Sequence, residues 1–139
     1  MSLHILDTDT LSLFQDGHAA VITHAKTRPQ EDVAITVLTI EEQLSGWYTV
    51  LRQAKDNTKL AWAYRRLAEN VKFLSRLKII AFDEPAIRRF QALLKLKLKV
   101  RATDLRIAAT AIEHNATLVT RNARDFKLIP GLVIVDWSK

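Results

Sequence analysis

Four carboxylates in this chain stand where chemistry is usually done in an open α/β protein. Asp7 follows the short apolar stretch Leu3 to Leu6, and Glu42 opens a helix-like stretch just after the run Val33 to Leu38. Asp104 begins the segment TDLRIAATAIEHNATLVTRNARDF, and Asp125 lies near its end. Each acid marks a handover from strand to helix, or a helix start. In open α/β sheets such handovers gather along the carboxyl edge of the strands, where these folds bind their ligands. Four acids from distant parts of the chain can therefore meet at one point. Clustered carboxylates repel, and a divalent cation relieves the repulsion. The pattern points to a metal-dependent nuclease.

Each acid also has a purely structural role to play. Thr39 followed by Glu42 fits a capping box, and Asn122 followed by Asp125 fits the same logic. Thr103 or Asp104 could cap the helix that follows, and Asp7 could order the turn after its strand. Caps alone, however, give no reason for acids to recur at one sheet edge together with an acid after the first strand.

The elements that must position these acids are legible as alternating patterns. His4 to Leu6 reads as a buried strand, and DTDTLSLF as a turn entering a helix. A helix over His18 to Thr27 stops at Arg28–Pro29, and Val33, Ile35 and Val37 make a β-branched strand. Thr39 to Lys55 and Lys59 to Leu77 have helical period and suggest a hairpin, with Leu44, Trp47, Tyr48 and Leu51 on one stripe and Trp62, Leu67, Val71 and Leu74 inward on the other. Lys78 to Phe82 is a third strand. Asp83 caps the next helix, with Pro85 in its first turn. LLKLKLKVR has a period of two and reads as extended or frayed. Asp104 to His114 is helical, and Thr117 to Thr120 and Val133 to Val135 complete the strands. Strands alternating with helices predict a mainly parallel sheet flanked by helices, in a single domain over residues 1–139.

Composition narrows the function classes. The 139 residues include 48% hydrophobic and 26% charged side chains, ordinary for a globular chain with a real core. There is no cysteine, hence no disulfide framework and no thiolate metal site, which fits the cytoplasm. The N-terminus has no signal-peptide pattern, and no run reaches the roughly 18 apolar residues of a membrane span. The four histidines lack metalloprotease spacing, and neither a nucleophile elbow nor a phosphate-binding glycine loop occurs. The net charge of +6, from 21 basic and 15 acidic residues, favours a polyanionic partner. Lys95, Lys97, Lys99 and Arg101 lead directly into Asp104, a strip suited to phosphates, whereas Arg65, Arg66, Lys72 and Arg76 read as a solvated helix face.

The segments LDTDTLSLF, TVLTIEEQLSGW and TDLRIAATAIEHNATLVTRNARDFKLIPGLVIVDW together resemble the PIN-domain ribonucleases, and within them the VapC-type toxins of toxin–antitoxin pairs. The resemblance spans nearly the whole chain. It implies a PIN-like three-layer α/β/α sandwich, Mg²⁺ or Mn²⁺ at the acids, endonucleolytic cutting of RNA, a homodimer, and a small antitoxin partner. Asp7, Glu42 and Asp104 match the family's three constant acids, with the spacing to Gly46 selecting Glu42 over Glu41. At the fourth position some relatives carry an acid where this chain has Asn122, and the nearest carboxylate is Asp125. Thr120 and Asn122 are expected to hold a water or phosphate, and Arg121 and Arg124 are further candidates for the RNA path. Asp9 stands where asparagine is more usual, and the family's common glycine before Asp104 is replaced by LKLKLKVRAT. Two other classes remain open: a degenerate PIN-fold module that binds RNA or protein without cutting, and a phospho-receiver domain, against which the IIAFDEP sequence after the third strand counts.

Overall fold

Strand residues alternate sides, so each of the three inner strands of this chain feeds two cores. The computed structural model describes residues 2–139. The strands are β1 (His4–Leu6), β2 (Val33–Thr36), β3 (Lys78–Ile80), β4 (Thr117–Val119) and β5 (Val133–Val135). The helices are α1 (Thr8–Gln15), α2 (Ala19–Lys26), α3 (Val37–Gln53), α4 (Asn57–Leu74), α5 (Glu84–Leu94), α6 (Ala102–Glu113) and the single turn α7 (Ala123–Phe126). All five strands are parallel, in the order β3-β2-β1-β4-β5.

Ile5, Ala34 and Leu118 point to one face, into a core completed by Phe90 and Leu93 of α5 and by Leu105, Ile107 and Ala108 of α6. Their neighbours Leu6, Ile35 and Val119 point to the other, against Leu11 of α1, Val21 of α2, Leu74 of α4 and Trp137. This two-residue period makes the three-layer α/β/α sandwich that the sequence predicts. No helix among the described residues is long and apolar enough to cross a membrane.

The strand order creates a switch point. From β1 the chain builds outward through β2 and β3, then returns to lay β4 on the other side of β1 and β5 beyond it. The crevice at the carboxyl ends of β1 and β4 is where open α/β sheets bind their ligands. Register holds it closed at the base: Leu6 pairs with Val119, and the Asp7 amide donates to the Val119 carbonyl at 3.0 Å.

Local structure departs from the sequence expectation at four places. Val37 belongs to helix, not strand: α3 starts one turn early because Thr36, in extended backbone, accepts the Thr39 amide on its hydroxyl at 3.3 Å. The Thr39–Glu42 capping box therefore does not form, and Glu42 lies in the second turn. Likewise neither Thr103 nor Asp104 caps α6, since Arg101 occupies that position and makes no side-chain cap bond. On α4 the inward positions are Ala63 and Leu74, with Leu67 half-buried, while Trp62 and Val71 are exposed. Tyr48 of α3 is exposed too. Trp62 instead meets Trp47 edge-on across the hairpin at 5.9 Å, too bulky to enter where the helices approach.

The other local signals act as read. Asp83 accepts the Ala86 amide at 3.2 Å and caps α5. The Leu/Lys segment after α5 is turn and bend, with Lys97 at φ 52°. Leu98 and Val100 pack on the core while Lys95, Lys97 and Lys99 face solvent.

Candidate active site

At the β1/β4 switch point lies a cleft of about 550 Å³ lined by Asp7, Thr8, Asp9, Arg101, Asp104, Arg121, Asn122 and Phe126. Of the acids, Asp7, Asp9 and Asp104 line it, while Glu42 and Asp125 stand outside that lining, and each is held differently.

Asp7 is the residue after β1 and also the cap of α1, accepting the Thr10 amide on Oδ1 at 2.8 Å. It is only 6% exposed. Burial pushes its carboxyl up, and hydrogen bonding from Thr120 and Thr10 opposes that rise. Asp104 sits in the first turn of α6 and is buried as well. Arg101 grips it with two bonds, Nε to Oδ2 and Nη2 to Oδ1, both 3.2 Å. Glu42 is half-buried on α3 while Glu41 faces solvent. Its Oε1 accepts the Thr8 hydroxyl, which also contacts the Thr39 hydroxyl at 3.0 Å. Its Oε2 lies 3.8 Å from Arg101 Nη2.

The fourth position is shared. Asn122 follows β4 and lines the cleft, whereas Asp125 on α7 is engaged with its neighbours. Asn122 Oδ1 accepts the Asp125 amide at 3.4 Å, the cap that the sequence suggests, but the return bond runs from Asn122 Nδ2 to Asp125 Oδ2 at 3.0 Å, because the Asn122 backbone amide is taken by Thr120. Arg124 stands 3.5 Å from Asp125 and is otherwise exposed. Thr120 is buried and accepts the Asn122 amide at 2.9 Å, so it ties the fourth position to Asp7.

The basic candidates divide. Arg121 is bound to Asp9 through two contacts of 2.8 and 3.2 Å, and Arg101 is bound to the acids. Both line the cleft. Lys95, Lys97, Lys99 and Arg124 do not line it. Of the histidines, His4 and His24 pack on Trp137, and none lines the cleft, as their spacing suggests.

Two participants were not read as such from the sequence. Thr8 aligns Glu42 across 34 positions, and a threonine carries no signal for a partner so remote. Arg101, read as a strip cation, is instead the counter-charge of Asp104. A basic residue three positions before an acid at a helix start was the available signal.

The donors fit a hard divalent cation in kind, because carboxylate, hydroxyl and amide oxygens surround the cleft. The expectation of four acids gathered about one ion is not met as the side chains stand. No group of three or more His, Cys, Asp or Glu among the described residues is set to hold a metal. The physical reason is that protein donors satisfy each carboxylate: Arg101 for Asp104, Thr8 for Glu42, and the Thr10 amide for Asp7.

The PIN domain model matches residues 5–132. The chain belongs to the PIN domain family. Among curated relatives, Ribonuclease VapC2 of Rickettsia felis is 45% identical over 71 residues, which cover 48% of this chain and 53% of that protein. The match thus spans about half the length of that relative. Among solved structures, a chain of the DNA-bound VapBC of Salmonella typhimurium is 25% identical with a TM-score of 0.79, covering 99% of each chain. A chain of a toxin–antitoxin complex from Klebsiella pneumoniae is 28% identical with a TM-score of 0.69, covering 94% of this chain and 95% of that one. This chain therefore shares the fold of those two chains over nearly all of its length.

Proposed function

We propose that this PIN domain is a Mg²⁺- or Mn²⁺-dependent endoribonuclease that hydrolyses RNA phosphodiester bonds, and the toxin of a toxin–antitoxin pair acting in the cytoplasm. The observation that carries the reading is the presence of two buried carboxylates, Asp7 and Asp104, in one cleft at the β1/β4 switch point, with Glu42 linked to them through Thr8 and Arg101. Burying carboxylates costs free energy, and a fold has no structural need to collect them. The ribonuclease name of the R. felis relative supports the reaction class. The K. pneumoniae complex supports a small antitoxin partner.

Asp7, Glu42 and Asp104, with Asp125 or Asn122 at the fourth position, would hold the cation, which supplies charge stabilisation at the phosphate and a more acidic attacking water. The chain's own groups do the rest. Thr120 and the Thr10 amide fix the orientation of Asp7, and Thr8 keeps Glu42 turned toward the cleft. Asp125 locks both ends of the Asn122 side-chain amide, which fixes that residue in the cleft wall. Arg121, on the rim, presents a planar fork suited to phosphate.

The test is cleavage of a labelled RNA. Cutting should stop in EDTA and return with Mg²⁺ or Mn²⁺. Asp7→Asn and Asp104→Asn keep size but remove charge. Removing a group that merely orients a metal ligand costs roughly 10–100-fold, so each variant should lose at least about that much. Undiminished cutting in chelator would refute the metal mechanism. RNA that binds but stays intact with either metal would favour a binding module.

A further inference from the structure

Arg101 stands at the cap position of α6 yet its side chain does not cap the helix. It folds back over the first turn and takes both oxygens of Asp104, while its Nη2 approaches Glu42 of α3. One guanidinium thus bridges two of the three acids assigned above. Its own exposure is unlike theirs: the Arg101 side chain is 70% exposed, Asp104 11% and Glu42 26%. The cation enters from the solvent side; Glu42 is also held by the Thr8 hydroxyl, whereas among the described residues the Asp104 carboxylate is held by Arg101 alone. Arg121, the other guanidinium of the cleft, is paired with the exposed Asp9 and contacts none of the three.

We propose that Arg101 is the resident counter-cation of the site: it holds Asp104 and Glu42 in the metal-free protein, competes with the divalent cation for their oxygens, and is released toward the cleft mouth when the cation binds. This rests on the metal reading given above. The competition follows from chemistry on both sides. A guanidinium that occupies both Asp104 oxygens and a divalent cation that needs at least one of them cannot share the carboxylate without strong repulsion. The latch is nevertheless easy to open, since an ion pair with one exposed partner is weak and the freed guanidinium is hydrated at once. Once released, Arg101 keeps its planar fork beside the acids, positioned to contact the phosphate of an incoming RNA. It is therefore a positioning residue with two stations rather than a permanent part of the RNA strip.

The decisive measurement is Mn²⁺ binding to the full chain without RNA, by calorimetry, for the wild type, Arg101→Gln, Arg101→Lys and Asp104→Asn. Coupling between competing ligands is roughly 5–150-fold, so Arg101→Gln should bind Mn²⁺ at least about fivefold more tightly than the wild type. Arg101→Lys, which keeps the charge without the fork, should fall between them. In the wild type, the Arg101 Nε–H resonance should be protected in the metal-free protein and lose that protection as Mg²⁺ is added. Equal or weaker Mn²⁺ binding by Arg101→Gln, in a wild type whose binding depends on Asp104, would overturn the latch and leave the metal reading standing. Absence of Asp104-dependent binding in both proteins would overturn both. Should Arg101→Gln fail to fold, the lysine variant and the Nε–H signal decide the matter by the same criteria.

Discussion

Burial drives the Asp7 carboxyl upward, and the donors around it, Thr120 and Thr10, pull the other way. The net rise means that ionised Asp7 costs the folded protein stability. A raised pKa contributes stability that is complete below the unfolded value, about 3.9 for aspartate, and is lost as pH rises through the folded value. Asparagine caps helices about as well as aspartate, so Asp7→Asn keeps the Thr10 bond and removes the charge. In metal-free buffer this variant should melt above the wild type at pH 7. The gap should narrow as pH falls toward the unfolded aspartate value, as the wild-type acid takes up its proton. Thermal denaturation across pH 4–8 measures it, and a variant that melts lower at pH 7 would mean the charge is stabilising after all. At this scale Asp7, Glu42 and Asp104 were legible because their types and local settings were unusual. Thr8 and the bridging role of Arg101 were not, because their partners lie in other elements or depend on a rotamer.

The helix starts show how elements aim these residues. α1 begins at the end of β1, so its cap is also a cleft acid. α6 places Asp104 in its first turn, where the helix dipole favours an anion. Between α5 and α6 the chain makes no regular structure, and Leu98 and Val100 pin it to the core. Its period of two survives only over Lys97 to Val100, as an alternation of exposed and half-buried residues without a strand, and Leu96 is 51% exposed. Lys95, Lys97 and Lys99 project outward with no salt-bridge partner among the described residues. If the RNA backbone follows this segment, replacing the three lysines with glutamine should weaken RNA binding. The salt slope should fall by about 0.7 for each phosphate no longer neutralised. Folding stability should change by no more than about 0.5 kcal/mol, as for other surface positions. Anisotropy titrations over a range of KCl concentrations test this. Unchanged affinity and slope would assign the lysines to plain solvation.

For the whole molecule, the α3/α4 hairpin is the most exposed apolar feature. Leu60, Tyr64 and Val71 share one face of α4 and are all at least 36% exposed, while Trp62 lies on its other side against Trp47, with Arg66 over the Trp47 and Trp62 rings at 5.5 and 5.9 Å. Closed two-fold pairing is the commonest oligomeric solution, and it would cover such a face with a copy of itself. We expect a dimer at micromolar concentration by sedimentation, and Tyr64→Asp should shift the population to monomer with little loss of fold, since Tyr64 is 58% exposed. A wild type that sediments as monomer throughout would remove the dimer from the proposal.

What the chain determined by itself was what four or five neighbouring residues can settle. The Asp83–Pro85 helix start and the Asn122–Asp125 pairing depend on bonds between near neighbours, and the extension of the runs ending at Leu6 and Val119 depends on local side-chain pattern, their ladder bonds being made to distant strands. So does the alternation that puts Ile5 and Leu6 in opposite cores. Tertiary structure decided the strand order, the convergence of Asp7, Asp104 and Asn122 at the β1/β4 crevice, the exposure of Trp62, and the capture of Asp104 by Arg101. The reason is physical: a cap or a strand phase is set by backbone donors a few residues away, whereas a cleft is set by which strands pair and by which side chains remain free once the layers have closed.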